Sequence, residues 1–102
     1  MTDLEMTRLC AEAMGYYIVY PDTCLPLAVE ERKGRNAMLY NPLHDDAQAM
    51  ALVKKFNLSV EVLSDETGVW MVVHPEVGPF YSHDLNRAIV ECVAKMQESK
   101  HG

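Results

Sequence analysis

The chain has 102 residues, of which 49% are hydrophobic and 24% charged, enough to bury one core without disulfides or a metal and well away from the composition of a disordered chain. Fifteen acids against nine Lys and Arg give a net charge of −6, and the acids are scattered, so no basic face is expected to displace counterions from phosphates and direct nucleic-acid binding is not expected. Cys10, Cys24 and Cys92 are odd in number and far apart, which argues against a disulfide framework or a zinc knuckle and for a reduced, cytosolic protein.

Thr2, followed three residues later by Glu5, forms a capping box, and Met1 and Met6 stand where a hydrophobic staple closes across it. Met6, Leu9, Cys10 and Ala13 recur at helical spacing and Gly15 suits a left-handed stop, so a first helix is predicted from about residue 3 to 14. Tyr16-Tyr17-Ile18-Val19-Tyr20 is aromatic and β-branched, a strand ended by Pro21-Asp22, and alternation requires one of Tyr16 and Tyr17 to face outward. Residues 21 to 36 give mixed signals and read as a loop or weak hairpin reversing at Gly34, with Ala37 to Tyr40 as its return strand.

Asn41 suits an N-cap and Pro42 a first helical turn, with Asp45 and Asp46 at the positive end of the dipole. Ala49, Leu52, Val53 and Phe56 then form one apolar stripe, and Lys54 and Lys55 stand near the carboxyl end. Leu58, Val60 and Val62 alternate with Ser59 and Glu61, Asp65 to Gly68 make a turn, and Val69 to Val73 return as the second strand of an antiparallel hairpin. Pro75 to Pro79 break the chain, and Ser82-His83-Asp84 open a last helix with Leu85, Ile89, Cys92, Val93 and Met96 on its buried stripe and a fraying polar tail from Gln97 to Gly102. This order predicts an α/β/α sandwich in one domain over residues 1–102, a small mixed or antiparallel sheet with three main helices on its two faces. The absence of a basic leader and of a run near ~20 apolar residues reads as neither secreted nor membrane-spanning.

The segments Leu9 to Gly15, Tyr40-Asn41-Pro42-Leu43 with Ala49 and Leu52-Val53, and Leu85 to Cys92, in this order, resemble the phage ABA sandwich domain family. The resemblance implies a small bacteriophage or prophage protein, helices on both sides of a sheet, and no assigned activity. Family members pass quickly from the Met-Gly segment to the Tyr-x-Pro helix start, so residues 21 to 37 stand out as an elaborated connection where individual function would lie.

Three groups of residues invite a chemical reading. His44, Asp45, Asp46, His83 and Asp84 sit at two helix beginnings and would form a metal or small-molecule site if those beginnings converge, although capping and the helix dipole already account for acids there. Cys10 and Cys92 fall on buried stripes and read as core residues; Cys24 is more accessible but lacks a recognisable base, so no catalytic residue is assigned. Arg32, Lys33 and Arg35 concentrate a third of the bases around Gly34, and Phe80 and Tyr81 offer rings beside the last helix; these five are the candidate partner-binding residues.

The sequence thus points to a phage-encoded accessory protein of the host cytoplasm, without catalytic activity, cofactor or bound metal, which binds a host or phage protein, with inhibition of a host defence as one specific form. The alternatives are small-molecule or metal binding at the two helix starts, and a structural homo-oligomer made through an open sheet edge.

Overall fold

The structure is a computed structural model that describes residues 1–20 and 23–101; the strand-ending Pro21-Asp22 and the terminal Gly102 lie outside the described residues. Helix α1 spans Asp3–Ala13. The Thr2 hydroxyl accepts the Glu5 N–H at 3.1 Å, as the capping box requires, and Gly15, at φ +80°, reverses the chain after the last turn. Met6, Thr7, Cys10 and Ala11 are buried, and the Thr7 hydroxyl is satisfied by donating to the Asp3 carbonyl at 2.8 Å.

Strands β1 (Tyr17–Ile18), β2 (Leu27–Arg32) and β3 (Arg35–Tyr40) form an antiparallel sheet in that order. Of the two expectations for this segment, the hairpin is the one realised, over residues 27 to 40, with left-handed Asn36 at φ 56° interrupting β3 near its start. Leu27 and Val29 bury on one face while Ala28 stays exposed on the other, a period of two that the charged run at the hairpin tip obscures in the sequence. Opposite them Tyr40 is buried, and Tyr16 packs edge-on against its ring at 5.4 Å, leaving Tyr17 as the outward member of the tyrosine pair.

Helix α2 spans Asp46–Phe56 and starts later than the sequence suggests. Asn41 is not the cap: residues 41 to 44 form a turn closed by the His44 N–H on the Asn41 carbonyl at 3.0 Å, and Asp45 caps the helix by accepting the Gln48 N–H at 3.0 Å. The side chain of Gln48 then accepts the Asn41 N–H at 2.7 Å and donates to the Leu39 carbonyl at 2.8 Å. One side chain thus fastens strand, turn and helix. Asn57, left-handed at φ 52°, ends the helix.

Strands β4 (Ser59–Ser64), β5 (Val69–His74) and β6 (Gly78–Ser82) make a second antiparallel sheet, again in chain order. The sequence announces β4 and β5 but conceals β6 behind Pro75 and Pro79. Pro79 is tolerated because β6 pairs with β5 alone, leaving one side of the strand free of ladder bonds. Helix α3 runs over Leu85–His101, so the expected fraying tail continues as helix. Lys95 bonds Glu98 at 3.1 Å there, and the Ser99 hydroxyl donates to the Lys95 carbonyl at 3.0 Å.

Three helices and two three-stranded antiparallel sheets make up the described residues, the expected α/β class, although the strands divide between two sheets instead of sharing one. Each sheet is a meander of consecutive strands joined by short connections, whereas β3 and β4 are separated by α2. Helix α3 is the common partner, packing on α1, α2, β5 and β6, while α1 packs on β1 and β2. Ala88, Ile89, Val90, Cys92, Val93, Ala94 and Met96 are all buried, a wider apolar surface than a single stripe and the mark of a helix enclosed on most sides.

Candidate partner-binding surface

The two helix starts do lie side by side: Asn86 Nδ2 donates to Asp46 Oδ1 at 2.8 Å, joining α3 to α2. The other two acids there, Asp45 and Asp84, are occupied in capping. Asp45 holds the Gln48 N–H, and Asp84 accepts the Arg87 N–H at 3.4 Å through Oδ1 while its carbonyl accepts the Ala88 N–H at 3.1 Å. Among the described residues no group of three or more His, Cys, Asp or Glu is placed to hold a metal ion.

The thiols divide as their positions on the stripes suggest. Cys10 and Cys92 are fully buried and Cys24 is exposed. Cys10 Sγ donates to the Val90 carbonyl at 3.6 Å across the α1–α3 contact. Burial raises its pKa strongly, with a smaller contribution from neighbouring Cys92, and burial pushes the Cys92 thiol up to about 11. Both are poor nucleophiles near neutral pH, where the thiolate is the reactive form.

Of the five candidate contact residues, Arg32, Lys33 and Arg35 come together, exposed, at the β2–β3 turn. Phe80 and Tyr81 belong to the other sheet and point in opposite directions. Phe80 faces Val72 and packs against the core, reaching the surface at a groove of about 300 Å³ that it lines with Met1, Met6, Arg87, Glu91 and Lys95. Tyr81, opposite Met71, is 54% exposed on the outer face. A second groove of about 410 Å³, on the other side of Met1, is bordered by Glu5, Glu12 and Glu98 as well as Arg8 and Tyr20.

The outer face of the first sheet contains residues that sequence reasoning missed. The register gives two rows across it: Val19, whose N–H donates to the Ala28 carbonyl at 2.8 Å, lines up with Ala28 and Leu39, and Tyr17 lines up with Glu30 and Ala37. Beyond them Arg32 pairs with Arg35 at the turn, past Asn36, whose left-handed φ of 56° interrupts the alternation. Tyr17 is 52% exposed and Leu39 65%. Alternation in Tyr17 and Val19 and in Ala37 and Leu39 was a sequence signal for this face, but it needs the hairpin register to become a surface. On α3, Arg87 pairs with Asp3 at 3.0 Å and Glu91 at 3.9 Å, and Lys95 with Glu98. Arg32, Lys33 and Arg35 make no ion pair among the described residues.

Compared with known protein families and with curated proteins, the chain matches none. Among the described residues no helix is long and apolar enough to cross a membrane.

Proposed function

We propose that the chain is a small phage-encoded accessory protein that acts by binding a host or phage protein in the host cytoplasm and carries out no chemistry of its own. The observation that supports this most directly is the placement of large apolar side chains on outward sheet faces: Tyr17, Leu39 and Tyr81 are each more than half exposed. Exposed Tyr with neighbouring aliphatic groups and cations is the composition of a contact surface, not of a reactive site. The phage origin rests on the resemblance of the Leu9 to Gly15, Tyr40 to Leu43 and Leu85 to Cys92 segments to the phage ABA sandwich domain family. Blocking a host-defence protein is one form such an activity would take.

An affinity pull-down of the tagged protein from bacterial lysate, with and without phage infection and read by mass spectrometry, tests the reading. A stoichiometric protein partner is the expected result. A folded, intact bait that captures nothing from either lysate would count against it.

A further inference from the structure

The exposed face of the first sheet lies beside a basic turn. Its Val19–Ala28–Leu39 row is apolar, and the turn beyond it carries Arg32, Lys33 and Arg35, none in an ion pair among the described residues. Even with Glu30 and Glu31 alongside, the turn is net positive on a chain of net charge −6, a local inversion of the molecular field that favours a negatively charged occupant. The face spans about 10 Å across three strands and about 13 Å along them between its outermost Cα atoms. That is far short of the roughly 800 Å² per partner of a standard globular interface, and it suits a short extended segment.

The edge beside it has the same polarity of design. Because the Ala28 carbonyl is turned to Val19, the Ala28–Leu39 pair is not hydrogen-bonded across β2 and β3, and the Leu39 backbone faces away from the sheet. Gln48 Nε2 covers that carbonyl at 2.8 Å. Two residues on, the backbone of Ala37 faces the same way. The β3 edge is thus closed at the α2 end and open toward the basic turn.

Resting on the binding-module reading above, we propose that the open edge of β3 docks an extended segment of a partner protein that carries apolar residues at one end and acidic residues at the other. The segment lies beside β3, its apolar side chains against Leu39 and its carboxylates at the Arg32–Arg35 turn, a strand-addition geometry in which main-chain bonds supply affinity and side chains supply selection. A single-stranded nucleic acid fits less well, since Tyr17 is the one ring in the two rows and the remainder of the chain repels a polyanion.

The test is an NMR titration of the ¹⁵N-labelled chain with a synthetic peptide whose first half is rich in valine and second half in glutamate, beside the same peptide with lysine in place of glutamate and an oligothymidylate. The expected result is that the acidic peptide alone shifts amides, centred on Ala37 and Leu39, with an affinity that falls as salt is raised. R32E/R35E weakens it at least tenfold, and so does Leu39→Ser, with unchanged circular dichroism; if the charge reversal unfolds the chain, R32Q/R35Q takes its place. Shifts centred elsewhere, no shift at all, equal binding by the charge variant, or tighter binding of the oligothymidylate would each overturn the proposal. Repeating the lysate capture with R32E/R35E separates the two readings. A partner held equally by both proteins rejects this face but keeps the binding module, whereas an empty capture beside a positive titration rejects the module alone.

Discussion

The environments of individual side chains set the chemistry that this protein can show. Cys24 is exposed while Cys10 and Cys92 are fully buried, so a single thiol is expected to react with iodoacetamide in the native protein at pH 8 and all three in denaturant; mass spectrometry counts the adducts, and labelling of more than one native thiol would contradict the burial. The same burial has a thermodynamic consequence. Cys92 is pushed from an ordinary 9.0 to about 11, so the folded state holds that proton more tightly than the unfolded state does. Its contribution to stability is complete below pH 9 and is lost as pH rises toward 11, by up to about 2 to 3 kcal/mol. Cys10 and Tyr40 shift in the same direction, chiefly through burial, and extend the loss to higher pH. Urea unfolding at pH 8 and pH 10.5 should show a smaller alkaline loss in Cys92→Ala than in the parent; equal losses would assign the effect elsewhere.

Among the elements, α2 illustrates how a correct reading of a helix can coexist with a wrong reading of its start. Asn41 and Pro42 satisfy every local preference for a first turn, yet Asp45 makes the cap because Gln48, one turn further on, reaches back to the Asn41 N–H and the Leu39 carbonyl. No local rule contains that second set of bonds, since it requires β3 to be in place. Asp45→Ala is expected to cost about 1 kcal/mol and Gln48→Ala about 1 to 2 kcal/mol through its two side-chain bonds. Asn41→Ala should stay within about 0.5 kcal/mol, because the backbone N–H survives and the Oδ1 it removes is buried without a partner. Chemical denaturation of the three variants checks the order; a larger loss for Asn41→Ala than for Asp45→Ala would restore Asn41 as the cap. The hairpin of β2 and β3 and the strand β6 were obscured by related local conflicts, a run of charges at a turn and a proline in an edge strand.

At the scale of the whole molecule, α3 carries the link between the two sheets, reaching β5 and β6 directly and β1 and β2 through α1. Ile89 is fully buried in this helix, so Ile89→Ala is expected to destabilise by about 2 to 5 kcal/mol. If α3 couples the sheets, that loss lowers both halves together. Trp70 fluorescence, which reports the second sheet, and far-ultraviolet circular dichroism should keep coincident midpoints in parent and variant. Separated midpoints would mean that the sheets unfold independently.

Periodicity and end signals determined the three helices, the β4–β5 hairpin, the outward turn of one of the two adjacent tyrosines and the inert thiols, because each depends on neighbours within a few residues of the chain. Only the tertiary structure decided that the strands form two sheets, that Gln48 moves the start of α2, that Asp45 and Asp84 at the joined helix starts serve as caps, and that Tyr17 and Leu39 share one exposed face beside the turn of Arg32 and Arg35. Those outcomes depend on register and on contacts between residues distant in sequence, and a linear pattern specifies which side of a strand is apolar without specifying what comes to lie beside it.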